Sequence, residues 1–218
     1  MFPPFARIHH LSRLHRDEDG ASYAISLLLA LPLYVAMVGL AAEVASLTST
    51  GMTVDAAASA AARSAATWLP LEGSAEAKWR QVQRAAVAAL VPASGSEAAE
   101  SRTQFGAVDA EAEEAFVAAY RQFTPHALPT DDYLRQKYRW TAQSTRVTLT
   151  PANPQGGDQV TVRVEFLAPI RVPGFGRWLG DVGSGNHWSR RLSREVTFTL
   201  EPTPRQSHPL GITYDRLR

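Results

Sequence analysis

From Ala21 to Ala42 the chain reads ASYAISLLLALPLYVAMVGLAA, 22 residues without a charge. A helix of that length spans about 33 Å at 1.5 Å per residue, against roughly 30 Å of bilayer hydrocarbon. Core helices seldom run so far without a polar face, so the pattern predicts a membrane helix rather than a buried one. The helical pattern then continues. Ser46 to Leu69 contains no proline and is rich in alanine, and Pro70 ends it, because the residue before a proline leaves the helical region. A continuous helix from Ala21 to Trp68 would be about 70 Å long. Pro32 is expected to kink it, and Gly39 and Gly51 to soften it.

Three shorter helical patterns follow. Ala75 to Val91 places Trp79, Val82, Ala86 and Leu90 on one face. Asp109 to Phe123 offers Ala112, Ala115, Phe116, Ala119 and Phe123 as an apolar stripe, with Glu111, Glu113 and Glu114 opposing the macrodipole at its start. Thr130 caps DDYLRQKYRW. From Ser144 the period falls to two. TRVTLT, then Val160, Val162, Val164 and Phe166, then Val196, Phe198 and Leu200 read as three strands, with NPQGGD at 153–158 as the turn between the first two. The expected product is an antiparallel meander with one wet face, its dry face covered by the helices and the stem. Between the second and third strands lies a glycine-rich excursion, Ala168 to Arg191. Its Phe175, Trp178 and Trp188, with Arg171, Arg177, Arg190 and Arg191, either meet a partner or membrane headgroups, or fold back as a small cluster.

The fold class expected is therefore α+β: a long N-terminal membrane and stem helix, then helices and a small antiparallel sheet, with a pilin-like outline. The divisions are a leader at 1–20, a transmembrane and stem helix at 21–69, and an outer domain at 70–218. About 150 residues are enough for a core.

Charge adds orientation. Arg7, Arg13 and Arg16 precede the apolar run, and no Lys or Arg follows until Arg63. The positive-inside rule then puts the N-terminus in the cytoplasm and the outer domain across the cytoplasmic membrane. A cleaved secretory signal would have a shorter apolar core. RDEDGASYAISLLLALPLY instead sets a charged leader and Gly20 directly against an apolar helix, the pattern of a type IV prepilin-like signal. A prepilin-type peptidase would cut between Gly20 and Ala21, where glycine allows an extended backbone.

Small residues recur four apart along the helix: Ala41 with Ala45, Ala56 with Ala60, Ala57 with Ala61, Ala58 with Ala62. Such faces let helices approach closely. The partner is either another protein's helix or this chain's own outer domain. Glu43, at the outer edge of the apolar run, is a functional candidate as a charge at a membrane boundary, unless it reaches water a turn away. Asp55 and Arg63 read as solvated positions.

RDEDG at 16–20, LALPLYVAMVGLAAEVA at 29–45 and VDAAASAAARSA at 54–65 together resemble the TadE-like family of the tight-adherence (Flp) pilus system. The likeness covers residues 16–66. It implies a minor pilin or pseudopilin that assists pulling together a pilus or secretion apparatus, with membrane and pilus proteins as partners. Family members usually carry Glu five residues after the cut, where this chain has Ile25.

The rest of the composition narrows the chemistry. With 22 basic and 21 acidic residues the formal charge is +1, and no basic and aromatic platform argues for nucleic acid. The chain has no cysteine, which excludes disulfides, thiolate metal sites and a cysteine nucleophile. Its six histidines lack ligand spacing. GFGRWLG at 174–180 lacks the Lys-Ser/Thr of a phosphate loop. Asp131 and Asp132 are explained by a helix start. No catalytic, cofactor or metal residues are expected, and the chain does not read as an enzyme.

Overall fold

The computed structural model describes residues 8–71, 73–95, 105, 107–124, 129–172, 174–184 and 187–201, with residues 8–24 described as backbone only. The chain divides into two compact units, Met1–Ser46 and Leu47–Arg218.

Helix α1, Ile8–Trp68, runs through both and contains Pro32. In the first unit its apolar stretch is exposed on every side. Leu27, Leu28, Leu29, Leu33, Tyr34 and Met37 are each more than three-fifths exposed. This is one helix long and apolar enough to cross a membrane.

In the second unit the same helix is a core element. Val54, Ala57, Ala58, Ala61 and Ala65 are wholly buried, spaced three and four apart as one helical face requires. The helix stops where Pro70 predicts: Leu69 N–H still bonds Ala65 O at 3.0 Å, and Lys78 Nζ donates to Leu69 O at 3.0 Å. That ammonium meets the negative end of the macrodipole.

Helix α2, Ala75–Leu90, starts at Ser74, whose hydroxyl accepts from Ala77 N, and buries Val82, Ala86, Val87 and Leu90. A 3-10 turn, Val91–Ala93, follows. Helix α3, Ala110–Phe123, is capped by Asp109, and α4, Asp131–Ser144, by Thr130. The expected stripe on α3 is corrected by the structure. Ala112, Glu113 and Val117 are buried, Ala115 and Ala119 are exposed, and Phe123 is 85% exposed. The helix is rotated toward Glu113 because Arg139 and Arg135 on α4 receive that carboxylate.

Strands β1 (Thr145–Thr150), β2 (Gln159–Pro169), β3 (Val182–Ser184) and β4 (His187–Thr199) form one antiparallel sheet in the order β1-β2-β4-β3. The turn at 153–158 is closed by Gln155 N–H to Asp158 Oδ2 at 2.7 Å, with Gly157 at φ +95°. The meander of three strands is present. β4, however, begins at His187, and the excursion contributes a fourth strand. The charged run RRLSRE masked the start of β4: its even positions face the core side but carry Arg190 and Arg194 opposite Ala168 and Val164.

The dry face of the sheet packs on the stem. Val147, Val162, Val164, Phe166 and Ala168 form one cluster with the buried alanines of α1, with Val82, Ala86 and Leu90 of α2, and with Trp140 of α4. Trp140 meets Phe166 edge to face at 5.7 Å, a geometry that adds to area burial. A second cluster joins Val87, Val91, Ala112, Tyr138 and Ala142. The wet face is a polar ladder in which Arg163 bonds Ser193 Oγ at 3.0 Å and pairs with Glu165 and Glu195.

Candidate functional site

The residues singled out by sequence do not converge on one place. Arg13, Arg16, Gly20 and Ala21 lie in the backbone-only part of α1, where their surroundings are not described, and Arg7 falls outside the described residues. Ala41 and Ala45 are exposed, whereas Ala57 and Ala61 are wholly buried. The small-residue face therefore separates into two parts. Its outer part is filled by this chain's own sheet and helices, which answers the question of its partner there. Alanine at these positions lets the helix axis approach the sheet closely enough for Val162, Val164 and Phe166 to fill the gap.

Glu43 is 1% exposed. A carboxylate so buried needs compensation for its lost hydration. Asp55, read as merely solvated, is tied to Arg194 Nε of β4 at 2.6 Å.

In the excursion, the three aromatics behave differently. Helix α5, Gly176–Leu179, is a single turn. Trp188 lies half-buried on a glycine floor: a Cβ on Gly183 would stand 2.6 Å from its ring, and one on Gly176 would also collide with it. Gly176, one of the glycines of GFGRWLG, thus makes room for an indole, whereas Gly174 has open space around it. Phe175 and Trp178 meet at 6.4 Å in a T-shaped pair, but Trp178 remains 81% exposed. Trp188 has folded back, and Trp178 is displayed. Arg190 is spent on Leu179 O at 3.2 Å, and Arg191 lies 5.4 Å from the Phe105 ring, which Arg146 approaches from 5.1 Å.

Sequence reasoning missed a cavity of about 400 Å³ in the outer unit, lined by Trp79, Arg80, Gln83 and Arg84 of α2, by Asp109 and by Tyr138 of α4. Arg84 Nε donates to Asp109 Oδ2 at 2.8 Å and its Nη2 to Glu111 Oε2 at 2.7 Å. The Glu111 hydrogen bond raises the Arg84 pKa, against burial. Burial pushes the Asp109 carboxyl up, but the Arg84 guanidinium and the N–H groups of Ala112 and Glu111 outweigh it, so its pKa falls below the usual carboxylate range. Burial pushes the Tyr138 phenol up to about 12. Beside this cavity α3 and α4 are stitched by Glu113 with Arg139 at 2.7 Å and by Glu114 with Arg135 at 3.1 Å. The signal available in the sequence for this α3–α4 pairing was Glu113 itself, which sits four residues before buried Val117.

A second cavity, about 640 Å³, lies between the stem and β4. Ser59, Ala62, Arg63, Ala66, Val196 and Phe198 are among its walls. No group of three or more His, Cys, Asp or Glu among the described residues is placed to hold a metal ion.

A bare apolar helix on an α+β domain is the class these features define: a single-pass membrane protein fits it. No family model, curated protein or solved structure matches the chain.

Proposed function

We propose that this chain assists assembly of a tight-adherence (Flp)-type pilus or secretion apparatus in the manner of a pseudopilin, by helix packing and protein recognition, without bond making. One observation carries the reading. The apolar part of α1 is exposed on all sides, with Leu29 at 75% and Leu33 at 66%. So large an apolar surface is stable only in lipid or against other helices. The stem beyond it is already covered by its own domain, so the membrane part, with Ala41 and Ala45, is what remains for neighbours.

The resemblance of residues 16–66 to the TadE-like family supports the pilus reading, and the arginines before the apolar run support a cytoplasmic N-terminus with the outer domain extracytoplasmic. Gly20 and Ala21 then mark the cut made by a prepilin-type peptidase. The test is Gly20→Ala in the native host. Loss of processing, together with loss of co-purifying pilus or secretion proteins, is the expected result. Retention of both sinks the proposal.

A membrane-tethered binding module unrelated to pili is the second reading, favoured by the cavity at Trp79, Arg80 and Tyr138. It requires a ligand that stays bound to the extracted protein and is lost on Arg80→Ala, whatever happens at Gly20.

A further inference from the structure

The cavity of about 400 Å³ at α2, α4 and the start of α3 lies wholly within the outer unit. Sites for small molecules enclose roughly 300–1,000 Å³. One stripe of α2 lines it, with Glu76, Arg80, Gln83 and Val87 following at helical spacing. Trp79 and Val108 add apolar surface.

Much of its charge is already engaged. Arg84 is held by Asp109 at 2.8 Å and by Glu111 at 2.7 Å, and Asp109 also accepts from the N–H groups of Glu111 and Ala112. Two donors in the wall are not engaged. Arg80 is exposed, and it makes no hydrogen bond or ion pair with any described residue. Tyr138 is 3% exposed. Its ring packs against Phe116 at 5.4 Å and among Val87, Val91 and Ala142. Its hydroxyl has no hydrogen-bond partner among the described residues. After burial itself, the groups that act most on this phenol are Asp109 and Arg84, both in the cavity wall, which sets Oη on the cavity side. Burial raises its pKa, so at neutral pH it is an uncharged O–H donor. A buried hydroxyl without a partner is destabilising, and an acceptor on a ligand removes that penalty.

We infer that this cavity binds a small monocarboxylate with an apolar body. The Arg80 guanidinium and Tyr138 Oη receive the anion, and Trp79, Val87 and Val108 receive the body. A guanidinium can hold a carboxylate through two parallel bonds, and the phenol adds a third donor. Among the described lining residues Arg80 is the cation not already paired, and Glu76 stands one turn before it. A single negative charge is therefore matched, and a second is repelled. The inference rests on the binding-module reading and deepens it by naming the ligand class; it does not depend on pilus assembly.

Calorimetric titration of the detergent-extracted full chain with phenylacetate, and with phenylacetamide as its neutral counterpart, tests this. Phenylacetate is expected to saturate and to bind about 10-fold tighter than the amide. Arg80→Gln is expected to erase that preference. Tyr138→Phe, which keeps the ring, is expected to weaken phenylacetate about 5-fold. Both variants should melt like the parent at neutral pH, which separates a lost site from a lost fold. Four results overturn the inference: an amide that binds as tightly as the acid, a preference that survives Arg80→Gln, an unchanged affinity in Tyr138→Phe, or no saturation by phenylacetate up to roughly 10 mM. Mass spectrometry of small molecules released when the extracted protein is denatured tests the wider reading separately. A released ligand without a carboxylate keeps the binding module and overturns the monocarboxylate. No released ligand removes the binding module, and the titration still decides the site.

Discussion

Leucine at positions 57 and 61 is expected to destabilise the outer unit. Both alanines are wholly buried in the cluster that contains Val162, Val164 and Phe166. Each substitution adds three carbons where a helix lies close against a sheet. Overpacking of this kind costs about 1–3 kcal/mol per site. The two sites are one turn apart and share neighbours, so the double variant need not equal the sum. A combined loss of about 2–6 kcal/mol is a large share of a stability of roughly 5–15 kcal/mol. At about 2–4 °C per kcal/mol for a unit of this size, the melting temperature falls by at least ~4 °C. Near-UV circular dichroism of the detergent-extracted chain on heating reads this directly, through Trp140 against Phe166. Ala41→Leu with Ala45→Leu is the control, since both positions are exposed in this chain, and it should leave the melt where it is. A double variant at 57 and 61 that melts like the parent refutes the assignment of this face to the chain's own core.

Further outcomes follow from single groups. Tyr138 titrates at about 12 when folded against 10.0 when unfolded. Between those values the unfolded chain has lost a proton that the folded chain keeps, so stability falls as pH rises from 10 to 12. The loss is about 2.7 kcal/mol at 1.36 kcal/mol per unit, and denaturant titrations of Tyr138→Phe should lack that limb. Asp109 has a lowered pKa, so its contribution is present above its unfolded value of 3.8 and disappears as pH drops through the folded one. Asp109→Ala also removes the α3 cap, at about 0.5–2 kcal/mol, and urea unfolding at neutral pH measures it. Gly183→Ala places a Cβ against the Trp188 ring, which must move. Its fluorescence maximum should shift to the red, and an unchanged spectrum would contradict the glycine floor.

Much of the architecture was legible in the sequence because its signals are local. A long apolar run has one physical meaning, Pro70 cannot continue a helix, and the Val160–Phe166 alternation fits one buried face. Thr130 caps α4 where its side chain can reach a free N–H group, while Asp109, read as the first residue of α3, is its cap instead. What escaped depended on tertiary partners. The face that α3 buries was misassigned, because the buried Glu113 is paired with Arg139 and Arg135 on α4, 26 and 22 residues away. The start of β4 was hidden by arginines that find Asp55 on the stem and Leu179 O in the excursion. The partner of the stem alanines was undecidable from spacing, since a close-packing face looks the same whether a sheet or another helix fills it. The two wall-lined cavities had no sequence signature, as each is made by elements distant along the chain.

The mass of the N-terminus of the membrane-extracted protein, taken from its native host, tests the central reading most directly. A chain beginning at Ala21 is the predicted result, because a peptidase that cuts after Gly20 leaves the apolar helix on the mature protein. A chain that keeps Met1, or one that begins beyond Ala42 and so lacks the apolar helix, would contradict it.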